Sequence, residues 1–339
     1  MKKRTLFFAA GLLFSCALIV VLTFFGAASI TLAETSKILA YKIFGFFSTE
    51  MEPAKVTIIW KVRFPRALLA FLCGGSLALC GGAYQALFKN PMADPFVLGV
   101  SSGAAFGATM GIVFQVPVSL MGLNVTSWFA FAGSLTAIFF VYNIAKIGRQ
   151  TALTSLLLTG TALSQFLTAI ISIFMMLSGE NMQRIYFWTL GSFNARGWSH
   201  ILVVAPYIAI GGAVVLAHCR ELDIIMLGDD TAVRMGVESE KIKRNMLVTT
   251  AFVMSACVSV SGIIGFVGLV APHVVRLFTG PKHAMLLPAS FLAGGSILAL
   301  CDTIARSATR AEIPVGIVTA ILGAPFFIYL LRTRRAEVL

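Results

Sequence analysis

Residues 245–275 read NMLVTTAFVMSACVSVSGIIGFVGLVAPHVV, 31 positions without an acidic residue, lysine or arginine. The run can cross a membrane once, or cross and double back as a short segment. The choice sets the side on which everything after it lies. Gly262, Gly265 and Gly268 are places where a helix can break, because a residue without Cβ tolerates bent backbone, and Pro272 is a fourth, because it lacks an amide donor. Flanking charge decides between the two paths. After a single crossing, Arg276, Lys282, Arg332, Arg334 and Arg335 lie outside; after a doubling back those five lie inside, and only Arg306 and Arg310 remain outside. Basic residues collect on the cytoplasmic side of short loops, so the doubling back is the expected path.

Other uncharged runs extend the pattern in both directions: 5–33, 67–88, 95–145, 150–179, 197–219, 283–301 and 313–331. A span needs about 20 apolar residues. The 51 residues 95–145 hold two spans with a turn near VPVSLMGLN. Lys2, Lys3 and Arg4 place the start of the chain inside, and Lys89, Lys146, Arg149 and the basic stretch 219–244 fall on the same side in turn. The expectation is an all-α polytopic membrane protein of ten spans, with short broken or re-entrant segments and both termini cytoplasmic. No linker is long enough for a soluble domain, so 1–339 reads as one transmembrane domain.

Composition agrees. Of 339 residues, 58% are hydrophobic and 12% charged, and the mean hydropathy is +0.91, outside the range of soluble domains. The basic start and apolar run of the N-terminus resemble a signal peptide, but the run is too long and further spans follow, which points to an uncleaved first helix. The six cysteines are scattered without a CxxC pair and read as small packing residues rather than disulfide or metal ligands. The net charge of +12 reports cytoplasmic loops in such a chain and not affinity for nucleic acid.

Three segments invite a role. Arg63 and Arg66 stand three apart at the mouth of the second span, on the outer side with Arg306 and Arg310. They anchor to lipid headgroups, or they meet acidic groups on a protein partner. Residues 89–107, KNPMADPFVLGVSSGAAFG, carry Pro91 and Pro95 after an uncharged span and form a turn at its inner end. Such backbone at membrane depth belongs where it is buried or lines a cavity. Residues 220–245, RELDIIMLGDDTAVRMGVESEKIKRN, mix charge with regularly placed apolar residues and suggest two short amphipathic helices that dock on a cytoplasmic partner. A fainter echo links FLCGGSLALC (71–80) with FLAGGSILALC (291–301), from repetition or from convergent small-residue faces.

Taken in order, RFPRALLAFLCGGSLAL, GGAYQALFKNPMADPFVLGVSSGAAFGA, LLLTGTAL, LGDDTAVRMGV, GIIGFVGLVAPHVVR, LLPASFLAGGSILALCDTIAR and IPVGIVTAILGAPFFIYLL resemble the permease subunit of type II ABC importers for iron–siderophore complexes, haem and cobalamin. The likeness runs from about residue 60 to 331. It implies ten spans, a homodimer or related heterodimer around a central pathway, two cytoplasmic ATPase subunits that bind ATP and magnesium, and an extracytoplasmic substrate-binding protein. It also implies the cytoplasmic (inner) membrane of a bacterium or archaeon, with no cofactor or metal held by this chain and no catalysis by it. Residue by residue, it assigns binding-protein docking to Arg63, Arg66 and Arg306. It assigns the cytoplasmic gate to Asn90 and Met92 with Leu153 and Thr154, where Leu153 departs from the small polar residue of the cobalamin member. ATPase coupling falls to about 222–243 with Gly228, Ala232 and Gly236, and Pro91, Pro95, Pro272, His273 and Arg276 become structural.

The expected cargo is an iron chelate, with haem, cobalamin or a molybdate-type oxyanion as alternatives, because no aspartate or histidine array marks a bare metal ion. A secondary transporter is the competing class. Against it, the spans carry acidic residues only near their ends, Asp302 and Glu312, where an ion-coupled carrier places them at mid-membrane.

Overall fold

Apolar runs of this length fold as helices because a backbone away from water must satisfy its own amides and carbonyls. The computed structural model describes residues 2–26, 28–46, 51–115, 119–147, 150–151, 153–309 and 311–338. Arg149 and Arg310 lie outside the described residues. Helix α1 (Lys2–Phe24) leads to α2 (Leu32–Phe44) and α3 (Pro53–Thr57), which runs through a π-helical turn (Ile58–Arg63) into α4 (Phe64–Leu87). A 3-10 turn (Pro95–Leu98) precedes α5 (Val100–Val113), and the hairpin of β1 (Ser119–Leu120) and β2 (Leu123–Asn124) joins it to α6 (Val125–Ala145). A second hairpin, β3 (Lys146–Ile147) with β4 (Gln150–Thr151), leads to α7 (Leu153–Leu177), α8 (Met182–Thr189) and α9 (Trp198–Ala217). Then follow α10 (Cys219–Ile225), α11 (Asp229–Arg234), α12 (Ser239–Ser261), α13 (Val267–Thr279), α14 (His283–Ser307) and α15 (Val315–Val338).

Among the described residues, six segments are long and apolar enough to cross a membrane: Arg4–Phe24, Pro53–Leu87, Val125–Ala145, Leu153–Leu177, Trp198–Ala217 and His283–Ser307. Val100–Val113, Val267–Thr279 and Val315–Leu330 are shorter apolar helices among them.

The deciding stretch does break. Helix α12 stops at Gly262 (φ 70°), and Phe266 (φ 68°) starts the reversal into the short α13. A side chain at 262 would also meet the Trp188 carbonyl, so both conformation and space require glycine there. Gly268 and Pro272, read above as further break points, sit inside α13 instead. Pro272 carries no amide for the Gly268 carbonyl four residues earlier. That carbonyl faces Gly81 of α4, so close that a Cβ on Gly81 would overlap it.

Helix α4 is buried along most of its length and packs on α14 through small residues, which let two backbones approach in lipid. Gly74 lies against the Gly294 backbone, Gly75 against Phe291, and Gly295 against Phe71. The two segments that echo each other in sequence are therefore the facing surfaces of one helix pair. Five cysteines are buried and free, and Cys16 is exposed.

Helix α2 begins with a capping box in which Thr31 and Glu34 satisfy each other's backbone amides, and it ends on Gly45 in the left-handed region. Lys55 bridges Glu34 at 2.9 Å and Glu52 at 3.0 Å. The Lys55 ammonium, followed by the Thr31 amide and hydroxyl, lowers the Glu34 carboxyl from 4.5 to about 2. A carboxylate depressed in the folded state adds stability above its unfolded pKa and loses it as pH falls through the folded one. Amide protection of α2, corrected for intrinsic exchange, is expected to hold from neutral pH to about 5 and to fall between 4.5 and about 2. Glu34→Gln should remove that fall; an unchanged profile in the variant would refute the assignment.

Candidate functional site

The arginines sit where α1, α4 and α14 end together. Arg66 lies in the first turn of α4 and directs its guanidinium at α14. Its Nε donates to Asp302 Oδ2 (2.9 Å) and its Nη2 to Asp302 Oδ1 (2.9 Å), a two-point fork that matches a planar carboxylate. Arg66 Nη1 donates to Glu312 Oε2 at 2.9 Å. Asp302 keeps only 1% of its side-chain surface. Arg63 donates to the Phe24 carbonyl (3.1 Å) and the Ala28 carbonyl (2.5 Å), and Arg306 to the Leu22 carbonyl (2.6 Å) and Thr303 Oγ1 (3.3 Å). The last carbonyls of a helix lack intrahelical donors and carry its negative dipole end, so two guanidiniums close α1 here.

All three side chains are buried and turned into the protein rather than spread over lipid. Asp302 and Glu312 were read from the sequence only as acids near span ends. The available signal was their sign, opposite to that of Arg66, at ends expected on the same side. Among the described residues this cluster holds three guanidiniums against two carboxylates. Beside it, Trp60 stacks on Phe64 at 5.5 Å, and its carbonyl accepts from the Trp198 indole at 2.7 Å.

At the opposite end of α4 the chain turns through Lys89 (φ 51°). Asn90 Oδ1 accepts from the Met92 amide (2.9 Å), and Asp94 Oδ1 accepts from the Phe96 amide (2.9 Å), capping the 3-10 turn that Pro95 opens. Leu153 and Thr154 are the first two residues of α7, Leu153 half-buried and Thr154 exposed. Contact between α7 and the proline segment is made deeper, where Gly160 lies against Val97 and Leu98. Among the described residues no hydrogen bond joins Asn90 or Met92 to Leu153 or Thr154. Gln85 accepts from Arg276 Nη2 (3.0 Å) and donates to the Leu269 carbonyl (3.3 Å), tying α4 to α13 near buried Pro272 and His273.

The charged stretch 220–245 forms two short helices, as its pattern predicts. Gly228 (φ 119°) separates α10 from α11, and Gly236 (φ 80°) follows α11. Ala232 is buried with Ile224 and Ile225, against Val237 and Ile242. Asp229 meets the Ser239 hydroxyl (2.8 Å), Lys243 (3.1 Å) and Lys89 (3.3 Å). Burial alone would raise the Asp229 carboxyl, but the Ser239 hydroxyl and Lys243 outweigh it and hold it below the usual range. Val233 of α11 (66% exposed) and, just beyond the helix ends, Met226 (39%), Leu227 (66%) and Met235 (55%) leave an apolar patch uncovered on this otherwise charged segment.

The chain's relatives point one way. Residues 12–333 match the FecCD transport family. The cobalamin import system permease protein BtuC of Halobacterium salinarum is 43% identical over 85% of this chain and 76% of that protein. The hemin transport system permease protein HmuU of Yersinia pestis is 37% identical over 82% of this chain and 84% of its own length. The molybdate import system permease protein MolB of Haemophilus influenzae is 33% identical over 93% and 94%. A solved structure described as an inward-facing conformation of a metal-chelate type ABC transporter superposes with a TM-score of 0.81 at 30% identity, over 96% of this chain and 99% of the other.

Proposed function

The chain belongs to the FecCD transport family, and from that premise we propose that it is the permease subunit through which an ABC importer takes an iron chelate of the siderophore type across the cytoplasmic membrane. It is a helical multi-pass membrane protein of the ABC permease fold. One transmembrane domain of ten spans, both termini cytoplasmic, is supported by α1, α4–α7, α9 and α12–α15, ten helices in the order that charge parity requires. The single observation that carries the reading is the match over residues 12–333.

In this proposal two copies of the chain enclose the pathway, and two ATPase subunits grip the apolar patch around α11 and the ends of α10 and α11, with Gly228, Ala232 and Gly236 shaping the contact. The binding protein lands over Arg63, Arg66 and Arg306, where an acidic side chain would balance the cationic excess of the cluster. Asn90 and Met92 with Leu153 and Thr154 form the inner gate. Hydrolysis of ATP with magnesium belongs to the partner, and this chain holds no cofactor. The identity with the cobalamin permease supports a second reading of the cargo, a corrinoid, carried by the same machinery.

Reconstitution tests both levels. Uptake of a labelled ferric siderophore or cobalamin into proteoliposomes is expected only with ATPase subunits, ATP and binding protein all present. Uptake that persists without the ATPase and follows an ion gradient would refute the permease reading. Binding-protein affinity for cobalamin but for no ferric siderophore would decide for the corrinoid.

A further inference from the structure

The α4–α14 pair is joined at both ends as well as along its middle. At one end the Arg66–Asp302 fork ties the helices. Between the ends, Gly74 and Gly294 bring the two backbones into direct contact, with Leu298 and Ala78 packed beside them. At the far end α10 packs on both helices, and each helix has a polar contact to a different one of the two short helices. Asp223 of α10 accepts from the His283 backbone amide (2.9 Å) and faces its Nδ1 (2.6 Å) at the first residue of α14. Asp229 of α11 takes the Lys89 ammonium (3.3 Å), two residues beyond the end of α4. Asp229 is in turn held by Ser239 and Lys243 of α12, so it moves with its own segment.

We infer that α4 and α14 act as one rigid strut between the short-helix segment and the arginine cluster, and that His283 and Lys89 are the positioning residues through which α10 and α11 move it. The inference rests on the permease reading above. At 1.5 Å per residue, the 25 residues of α14 span ~37 Å. A displacement of α10 and α11 imposed by an ATPase would be delivered at Arg66, Asp302 and Arg306 without being absorbed by repacking. Two grips, one on each helix of the pair, transmit rotation as well as translation, which one grip could not. The Lys89–Asp229 pair is partly exposed (32% and 47%) and contributes little to stability, so its loss should appear in coupling and not in folding.

The test uses the whole complex in proteoliposomes, with Lys89→Met, His283→Leu, the double variant and Lys89→Arg. The readouts are copurification of the ATPase, stimulation of hydrolysis by loaded binding protein, and cargo moved per ATP. The cargo is labelled ferric siderophore or cobalamin, whichever the parent takes up. The double variant is expected to keep copurification and unstimulated hydrolysis while losing about tenfold in cargo per ATP, a size typical of coupling between linked sites. Lys89→Met should lose part of that, and Lys89→Arg should restore it. Cargo per ATP unchanged in the double variant overturns the inference. So does loss of ATPase copurification in Lys89→Met, which would make the pair a prop for the docking surface. Should His283→Leu fail to insert, Lys89→Met decides alone by the same two outcomes. A parent complex whose hydrolysis the binding protein never stimulates would strike the permease reading itself, before any variant is compared.

Discussion

Asp302→Ala is expected to cost about 3–5 kcal/mol, because it leaves a buried guanidinium without its counter-charge. A typical total stability is about 5–15 kcal/mol, so this one change should remove a third or more of a common margin and lower the unfolding temperature steeply. The setting makes this substitution severe. Among the described residues Arg66 would keep only Glu312, which is partly exposed, while Arg63 and Arg306 remain nearby with no carboxylate of their own in hydrogen-bond contact. Replacing both partners is the informative contrast. Arg66→Met with Asp302→Leu removes both charges and should recover much of the loss, since a buried pair exchanged for packed apolar groups is often neutral. Arg66→Lys should fall between, because an ammonium cannot reproduce the fork on Oδ1 and Oδ2. Thermal unfolding of the detergent-purified chain reads the series. Asp302→Ala within about 0.5 kcal/mol of the parent, the range of an ordinary surface change, would mean that the pair carries no weight.

The same measurement should find Gly81→Leu nearly as damaging. Overpacking a tight interface costs about 1–3 kcal/mol when side chains can shift, and more when they cannot. At Gly81 the obstacle is the Gly268 backbone, held inside α13 and unable to rotate away. Even Gly81→Ala should push α13 off α4 and disturb the Gln85–Arg276 and Gln85–Leu269 bonds that lie one turn on. Gly179→Ala is the control, because a Cβ there meets nothing within 4 Å. If Gly81→Ala behaves like Gly179→Ala, the crossing is looser than the geometry states.

These two sites differ in how far the sequence discloses them. The glycine faces of α4 and α14 are visible as GGS in both segments, but repetition and contact look alike until the helices are placed side by side. Gly81 and Gly268 stand 187 positions apart by their numbering, and no local pattern pairs them. Pro272 lies inside α13 and not at the expected break. A proline reads as a helix break because it lacks a donor, yet here it stays helical and its orphaned carbonyl becomes the surface on which another helix lands. The break falls instead across Gly262–Phe266, where two positive φ values concentrate the reversal.

Charge divides in the same way between chain and fold. Counting basic residues places Arg63, Arg66 and Arg306 at one end of the bundle, since sidedness is a property of the whole chain and sums over loops. It could not say that Asp302, 236 residues from Arg66, would take its fork. The order of the apolar helices, the short α13 and the two helices of 219–234 were determined by sequence alone, because hydrophobic runs, glycine spacing and charge pattern act over one helix or one turn. Which carbonyl faces Gly81, which carboxylate answers each cation, and the joining of Asp223 to His283 and Asp229 to Lys89 were decided only in the tertiary structure. Those contacts depend on the distance between helices, which packing sets and no single segment contains.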